Sequence, residues 1–439
     1  MYLPPYVTFC IDRLEQAGFP TYAVGGCVRD ALLGLQPHDY DLCTAASPEI
    51  TAAIFEDHTL IRAGEKHGTI GVVVDHQVVE ITTFRTEGAY LDSRHPQWVE
   101  FVTDIRQDLA RRDFTVNAMA YSPTRGFADP FGGQKDLQDH ILRAVGDPTK
   151  RFTEDALRIL RGVRFAVRFR LTPEAQTLQA MEQLAHRMDL LAKERIFDEL
   201  CRLLPLVQAA DLCRFAPILS AAVPALAPTI GFQQHSSHHT YDIFTHTAYV
   251  VEGVDSNLTL RWAALLHDIG KVPTFTLDEH GQGHFLGHAR AGAELANQTL
   301  LSLKAPTQLR ETVVFLIEKH MTPLPADKKL LRRRLSQYGL PRLELLLQLQ
   351  KADFCAKGVS GDTADFAAIE HLLQEILAEN ACLTLKDLAL NGHDLLALGY
   401  EGPAIGKQLQ QLLELVLDER IENEKAALLA AAKEYSVKE

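Results

Sequence analysis

The chain has 439 residues, of which 46% are hydrophobic and 23% are charged, and its formal net charge is −13. This composition is typical of globular protein, and the length predicts about three domains of ~150 residues each. No apolar run approaches the ~20 residues of a membrane span, and we expect no signal peptide. The sequence therefore argues against the membrane and secreted classes and favours a cytoplasmic location.

The cysteines indicate the redox state of the thiols, and the charges indicate the kind of binding partner. The seven cysteines are scattered, with no Cys-x-x-Cys pair, which predicts reduced thiols. The acidic balance argues against indiscriminate coating of nucleic acid, but basic residues are dense between Arg106 and Arg170. A basic stripe on an acidic chain predicts a bounded RNA site.

The predicted elements divide the chain into an α+β segment and a longer all-α segment. Up to about residue 143 the patterns predict helices over 7–17 and 29–35 and strands over 21–25, 38–43, 69–74, 78–84 and 99–102. Beyond about residue 147 apolar residues recur at helical spacing. We predict an α+β fold with four consecutive parts, at residues 1–143, 144–205, 206–383 and 384–439.

A glycine pair is the first motif that carries chemistry. Gly25 and Gly26 follow an apolar run and precede the predicted helix over 29–35. Glycine lets backbone amides approach a phosphate closely, and the N-terminus of a helix favours anions. The pair therefore predicts a phosphate-binding turn, with an ordinary turn as the alternative.

Two aspartates follow at close spacing. If residues 39–44 form a strand, Asp39 and Asp41 project from the same face. Two carboxylates beside a phosphate-binding turn can hold Mg²⁺ against a triphosphate. Two-metal catalysis commonly adds a third carboxylate from a neighbouring strand. The candidates are Glu80 and, as alternatives, Glu100 and Asp113, and for each of them a structural salt bridge is the competing interpretation.

Two further motifs are basic. Arg111 and Arg112, adjacent at a predicted helix start, can neutralise triphosphate oxygens, and Asn117 can bond a ribose hydroxyl or the backbone. A second helix is predicted over 154–165, with Thr153 near its N-cap. The functional candidates on this helix are Asp155, Arg158, Arg161 and Arg164.

Asp155 and Arg158 form a predicted base-reading pair. They are three residues apart, so in one helix they would be neighbours on the same face. An acceptor carboxylate beside a guanidinium donor can read the Watson–Crick edge of a base, and can accept both cytosine and adenine if the arginine shifts. An ordinary surface ion pair is the alternative.

A histidine-rich constellation lies in the middle of the chain. Imidazoles and carboxylates spread over several helices can converge on a divalent transition metal. The predicted ligands are His246, His267, Asp268 and Asp353, with His284, His288 and His320 nearby in the sequence.

These motifs resemble, in order, those of the class II tRNA nucleotidyltransferases. This family comprises the CCA-adding enzymes of bacteria and shares ancestry with bacterial poly(A) polymerases. The resemblance is close over roughly the first 200 residues and resumes in the tail. The central region resembles an HD-type metal phosphohydrolase module. The motifs that carry the resemblance span residues 25–30, 38–42, 111–118, 129–139, 145–148, 154–158, 402–407 and 423–425.

The resemblance implies a polymerase-β-like head followed by a helical neck, body and tail that grip the acceptor half of tRNA. It implies that Asp39 and Asp41 bind Mg²⁺ and activate the primer 3′ hydroxyl. Roles in binding the incoming nucleotide fall to Gly25, Gly26 and Arg29 for the triphosphate, Arg112 and Asp113 for sugar and phosphates, and Asp155 and Arg158 for selecting CTP and then ATP.

The implied reaction is template-independent addition of C, C and A to the tRNA 3′ end, with release of pyrophosphate. The head segment over 84–98 is of full length for the family, which disfavours CC-only addition. An A-adding enzyme and a poly(A) polymerase stay open. So do a metal-dependent phosphodiesterase or phosphatase centred on the HD module and a non-catalytic RNA-binding protein. The oligomeric state is left open.

Overall fold

The computed structural model describes residues 1–88, 99–236, 240–358, 364–379 and 381–434. Part of the head segment over 84–98, whose length disfavours CC-only addition, lies outside these ranges. The chain forms two compact units, Met1–Ala227 with Ser302–Ala305, and Pro228–Leu301 with Pro306–Glu439. The finer division into four parts stays a prediction. None of the described helices is long and apolar enough to cross a membrane.

The first unit contains a mixed sheet. Its strands are β1 (Thr21–Val24), β2 (Asp41–Thr44), β3 (Thr59–Ile61), β4 (Thr69–Val74), β5 (Gln77–Thr83), β6 (Arg85–Glu87), β7 (Val99–Phe101), β8 (Ala120–Ser122) and β9 (Gly126–Ala128). Seven of them form one sheet in the order β3-β4-β5-β2-β1-β8-β9. The β2–β5 pair is parallel, and β6 and β7 form a separate antiparallel pair.

The turn between β4 and β5 falls between the strands predicted over 69–74 and 78–84. Asp75 and His76 have positive φ values of 49° and 62°. Two consecutive residues with positive φ suit the twist of a tight hairpin. This hairpin sets the register of β5 and thereby the place of Glu80 beside β2.

Helices complete the first unit. They are α1 (Pro5–Gln16), α2 (Gly26–Leu32), α3 (Pro48–Ile54), α4 (Ile105–Ala110), α5 (Gly133–Gln138), α6 (Pro148–Glu154), α7 (Leu157–Arg168), α8 (Ala175–Leu184), α9 (Lys193–Leu203), α10 (Ala209–Arg214) and α11 (Ala216–Ala222). A two-residue parallel ladder joins β10 (Ile141–Leu142) to β11 (Thr172–Pro173).

The predicted single helix over 154–165 is wrong. The helix α6 ends at Glu154 and α7 begins at Leu157, so Thr153 lies inside α6 and caps nothing. Asp147 starts α6 earlier, because its carboxylate accepts the Thr149 N–H at 2.9 Å. Asp155 is extended, with φ −143° and ψ 105°, and its carboxylate accepts the Leu157 N–H at 3.0 Å. A side chain that bonds the backbone in this way competes with helix continuation.

The second unit is helical apart from one small hairpin. Its helices are α12 (Ile243–Gly253), α13 (Leu258–Leu266), α14 (His288–Ser302), α15 (Thr307–Lys319), α16 (Lys328–Tyr338), α17 (Leu340–Cys355), α18 (Ala364–Ala378), α19 (Gly392–Ala397), α20 (Pro403–Leu417) and α21 (Lys425–Glu434). The hairpin pairs β12 (Thr276–Leu277) with β13 (Gly283–His284). The last three helices share a buried leucine-rich core of their own.

Candidate active site and candidate metal centre

An open cleft of about 480 Å³ lies in the first unit. Its lining includes eight arginines and three aspartates, a balance that attracts a polyanion. The cleft brings together Asp41 and all ten predicted nucleotide-binding residues, which are Gly25, Gly26, Arg29, Arg112, Asp113, Asn117, Asp155, Arg158, Arg161 and Arg164. Residues far apart in sequence therefore share one surface.

Glycine is required where β1 passes into α2. Gly25 has φ 75°, in the region that side chains rarely adopt. A Cβ on Gly25 would lie 2.6 Å from Arg112 Nη1, so any side chain would displace that guanidinium. The helix α2 begins at the next residue, Gly26. The predicted phosphate-binding turn is therefore a glycine turn directly before the N-terminus of a helix.

The acidic group spans two strands. Asp41 and Glu80 are direct neighbours in the parallel register of β2 and β5, and both are exposed. Asp39 lies before β2, so the prediction that both aspartates belong to one strand was wrong. The antiparallel partner β1 ends at Val24, where the chain turns at Gly25, and offers Asp39 no partner.

The electrostatics of this acidic group suit a divalent cation. Desolvation by surrounding protein raises the pKa of Asp41, and the charges of Glu80 and Asp39 raise it further against the opposing effect of Arg112. Carboxylate oxygens held close together repel one another, and a hard cation such as Mg²⁺ relieves that repulsion. Of the alternatives for a third carboxylate, Glu100 lies on β7, outside the seven-stranded sheet.

Asp113 is a structural ion-pair partner, which disfavours it as the third metal carboxylate. Arg161 Nη2 lies 2.7 Å from its Oδ2, and Asn117 Nδ2 donates to its Oδ1 at 3.0 Å. Burial alone would raise the pKa of Asp113, but the charge of Arg161 and these hydrogen bonds lower it to about 2. Asn117 in turn accepts a hydrogen bond from Arg29.

Arg29 lines the cleft, but most of its side chain is buried in the protein. It pairs with Asp30, with Nη2 2.6 Å from Oδ1, and its guanidinium lies 4.2 Å from the centre of the Phe169 ring. Desolvation lowers the pKa of Arg29, against the opposing charge of Asp30. The guanidinium is therefore held in one place at the cleft wall.

Arg111 and Arg112 follow the end of α4, so the predicted helix start at these residues was wrong. The helix begins upstream, where Asp104 accepts the Arg106 N–H at 2.9 Å. Both arginines contact the buried Asp108, at 3.0 Å from Arg111 and 3.5 Å from Arg112. Asp108 was missed in the sequence analysis, because nothing local distinguishes it from a surface carboxylate.

Asp155 and Arg158 do not lie on one helix face as predicted, because the helix is interrupted between them. Arg158 Nη1 pairs with Glu154 at 2.8 Å, and its Nη2 donates to the Arg111 carbonyl at 3.1 Å. Asp155 instead pairs with Arg195 from α9, with Nη2 2.9 Å from Oδ2. Arg195 also lines the cleft, and it lies forty positions along the chain, where no local pattern could indicate it.

The four predicted metal ligands of the second unit converge from three places in the chain. His246 lies on α12, His267 and Asp268 directly follow α13, and Asp353 lies on α17. His246 Nε2 lies 2.9 Å from Asp353 Oδ1 and 3.5 Å from Asp268 Oδ2. His288 and His320 join Asp268 in a second group whose ligand atoms lie within 4.8 Å of one another.

His284 stays outside this cluster. It lies on the exposed hairpin of β12 and β13, where its Nε2 is 2.9 Å from Asp278 Oδ2. Its place in the sequence between the other histidines is therefore not matched by its place in the fold.

The four clustered imidazoles share one hydrogen-bonding pattern at Nδ1. In each of His246, His267, His288 and His320, Nδ1 lies 2.6–3.2 Å from a backbone carbonyl oxygen. A carbonyl only accepts hydrogen bonds, so these contacts put the proton on Nδ1 and leave Nε2 as a lone pair in the neutral ring. This is the tautomer that a metal ligand needs.

Potential ligand atoms of the cluster face one another at short distances. The buried His267 Nε2 lies 3.1 Å from Asp268 Oδ2, and Lys271 Nζ lies 2.7 Å from the same oxygen. His288 Nε2 and His320 Nε2 face each other at 3.2 Å. Burial lowers the pKa of His288, and it lowers that of His320 to about 4. Neutral rings with opposed lone pairs, beside the buried Asp268 carboxylate, fit a bound cation.

Three models of protein families match the chain. The "Poly A polymerase head domain" matches residues 21–143, the "HD domain" residues 237–357, and the "Probable RNA and SrmB-binding site of polymerase A" residues 170–211. The cleft is lined partly by residues of the first of these and by Arg195 of the third, and the histidine cluster lies in the second. Residues 21–143 thus have the fold of a poly(A) polymerase head domain.

Proteins of similar sequence and structure match this chain over nearly its whole length. The CCA-adding enzyme of Streptococcus mutans is 32% identical over 95% of this chain and 94% of its own, and that of Limosilactobacillus fermentum is 34% identical over 97% and 95%. The structure of the Bacillus stearothermophilus CCA-adding enzyme with CTP has a TM-score of 0.74 at 29% identity, covering 98% of both chains. The chain belongs to the CCA-adding enzyme family and is a nucleotidyltransferase.

Proposed function

We propose that the chain adds C, C and A to the 3′ end of tRNA from CTP and ATP without a nucleic-acid template. The observation that carries the proposal is the arginine-rich cleft lined by Asp41, whose neighbour in the β2–β5 ladder is Glu80. It is supported by the relatives above. A tRNA substrate favours the cytoplasm as the site of the reaction.

The proposed chemistry is an in-line displacement. The primer 3′ oxygen forms a bond to the α-phosphorus of the nucleotide, the bond from that phosphorus to the bridging oxygen breaks, and pyrophosphate leaves. Asp39, Asp41 and Glu80 would hold Mg²⁺, which when bound lowers the pKa of the 3′ hydroxyl and neutralises phosphate charge. The chain's own contribution at the other end is to position the triphosphate.

We assign that positioning to the basic wall of the cleft. Arg112 is anchored by Asp108, and Arg29 is held by Asp30, so each guanidinium is ordered before the substrate arrives. Donors ordered in advance lose less entropy when they bind phosphate. Asp155 and Arg158, which face the same cleft, are assigned to the base.

Incorporation on two tRNA transcripts tests the proposal. One transcript ends at the discriminator base and the other ends in CC, and labelled CTP and ATP are supplied separately and together. Three additions to the first and one to the second are expected. ATP use only on the CC-ended transcript would instead establish an A-adding enzyme, and long homopolymer tails a poly(A) polymerase.

We propose a second activity for the HD module, the metal-dependent hydrolysis of phosphate esters such as a 2′,3′-cyclic phosphate at a tRNA end. The convergence of buried imidazoles on the Asp268 and Asp353 carboxylates carries this proposal. A divalent transition metal held by His246, His267, Asp268 and Asp353 would supply an activated water. The side chains His288 and His320 extend the donor set.

Hydrolysis of a 2′,3′-cyclic phosphate by the purified protein, with several divalent metals in turn, tests this second activity. His267→Ala is expected to abolish it. His284→Ala is the matched control, because His284 lies on the exposed hairpin outside the cluster. No hydrolysis with any of the metals would count against the proposal.

A further inference from the structure

We infer that Arg195 sets the base selectivity of the cleft by positioning Asp155. The inference rests on the proposed nucleotide addition and goes beyond it, because no family motif described above includes Arg195. Arg195 is a positioning residue in this account, since it acts on the base through the Asp155 carboxylate.

The contact between them is two-pronged. Arg195 Nη2 donates to Asp155 Oδ2 at 2.9 Å, and Nη1 donates to Oδ1 at 3.4 Å. A planar guanidinium that meets both oxygens fixes the plane of the carboxylate as well as its place. Both side chains are mostly shielded, with exposed fractions of 23% for Arg195 and 17% for Asp155.

Asp155 needs this support because of its backbone. It lies in the break between α6 and α7, where its own backbone is extended, with φ −143° and ψ 105°. One local hydrogen bond, from the Leu157 N–H to Oδ1 at 3.0 Å, ties its carboxylate. Rotation about the Cβ–Cγ bond would still exchange the oxygens, and the Arg195 fork prevents it.

The remaining acceptor capacity can be counted. A carboxylate has about four lone-pair sites. Hydrogen bonds from the described residues fill both sites on Oδ1, through Leu157 and Arg195, and one on Oδ2, through Arg195. One acceptor site on Oδ2 remains, and its direction is set by the arginine.

A single fixed acceptor distinguishes cytosine and adenine from uracil and guanine. Cytosine and adenine present an exocyclic amino group, a donor, at the position where uracil and guanine present a carbonyl oxygen. An amino group bonds to Oδ2, whereas a carbonyl oxygen is repelled by it. The fork therefore favours CTP and ATP over UTP and GTP.

Arg158 is less suited to this positioning role. Three of its donors already serve Glu154 and the carbonyls of Arg111 and Arg151. It is thus tied to the protein by its own network, and in the described structure its guanidinium donates no hydrogen bond to the Asp155 carboxylate. The two arginines have separate tasks, one as a donor toward the base and the other as the brace of the acceptor.

Competition assays on a tRNA transcript test the inference, with CTP against UTP and ATP against GTP. Arg195→Ala is expected to lower both selectivity ratios about 10-fold or more, the effect of losing a charged hydrogen-bonded brace. The loss should appear mainly as a higher KM for CTP and ATP, because the base contact exists before the chemical step. Arg195→Lys should recover part of the selectivity, since it restores the charge without the fork.

Arg202→Ala is the matched control, because Arg202 is an exposed arginine of the same helix α9 and does not line the cleft. It should keep the wild-type ratios. Thermal unfolding of every variant identifies a temperature at which all are folded, and selectivity is compared there. In the Asp155→Asn background, Arg195→Ala should add no further loss of selectivity.

Wild-type selectivity in folded Arg195→Ala, or an equal loss in Arg202→Ala, would overturn the inference alone. A wild-type protein that adds no nucleotide to tRNA would overturn the proposed function and this inference with it. The two failures are distinguished by the wild-type lane of the same experiment.

Discussion

Asp113 joins two segments of the cleft wall at the scale of one residue. It accepts hydrogen bonds from Asn117 and Arg161, which belong to the head segment and to α7. Its pKa of about 2 is far below the ordinary value of a carboxyl, so its charge is stabilised by folding. The residue therefore links stability to pH.

The first prediction concerns this link. Asp113→Asn should lower the free energy of unfolding at pH 7 by about 2 kcal/mol or more, because a shift of almost two pKa units is lost. The depressed pKa means that the contribution is complete above pH ~4, the ordinary pKa of Asp, and disappears as pH falls toward 2. Urea unfolding of both proteins at pH 7, 5 and 4 measures the difference. A difference that grows on acidification would contradict the assignment.

The second prediction concerns His320 in metal-free protein. Burial depresses its pKa to about 4, whereas the unfolded residue titrates near ~6.5. Between these values the unfolded state binds a proton that the folded state does not, so stability falls as pH falls from ~6.5 to ~4, by up to about 3 kcal/mol. His320→Gln should flatten this part of the pH profile of unfolding. An unchanged slope would show that His320 is not buried as a neutral ring.

At the scale of elements, two glycines bring α14 close to the loop after α13. A Cβ on Gly270 would lie 2.2 Å from the His288 carbonyl oxygen and 2.4 Å from the Gly292 nitrogen. Backbone atoms cannot yield as a flexible side chain can. The small residues therefore let His288, at the start of α14, reach Asp268.

The third prediction tests that close approach. Gly270→Ala should destabilise the protein by about 1–3 kcal/mol, as overpacking does. Gly406→Ala is the control, since Gly406 lies within α20 with open space around its Cα, and alanine there should stabilise by about 0.5–1 kcal/mol. Urea unfolding measures both. The same sign for the two variants would contradict the packing argument.

At the scale of the whole molecule, the two clusters of acidic and basic groups belong to different compact units. Asp41 lies in the first unit and Asp268 in the second. The cleft and the histidine cluster share no residue. Each cluster therefore has its own ligands and its own chemistry.

The fourth prediction is a reciprocal separation of activities. Asp41→Asn should reduce nucleotide addition by at least about 100-fold, because a carboxylate ligand of the reaction centre is lost, and it should leave transition-metal binding by the histidine cluster intact. Asp268→Asn should do the reverse. Incorporation assays and metal-binding titrations on both variants measure this. Loss of both activities in either single variant, with folding preserved, would contradict it.

Much of the site was predictable because the signals are local. The glycine turn at Gly25, the aspartates beside β2 and the His267-Asp268 pair lie in short motifs whose chemistry follows from residue type and spacing. Strands β4 and β5, with the turn at Asp75, were predicted for the same reason: periodicity and turn propensity act over a few residues. The structure confirms the turn at Gly25 and the strands β4 and β5. The chemical roles of the site residues stay predictions.

The errors came from contacts that local patterns do not encode. The break at Asp155 depends on one side chain capping the next helix, and its partner Arg195 arrives from α9. Asp108 anchors two arginines only because α4 packs beside the sheet.

The sequence by itself determined the α+β head, the helical remainder and the residue types that carry the chemistry, since propensity, periodicity and motif spacing are properties of neighbouring residues. Only the tertiary structure decided which carboxylate meets which arginine, which histidines share a centre and that His284 is not among them. Those choices depend on through-space distances and burial, which the fold sets between residues as far as 107 positions apart, as in His246 and Asp353.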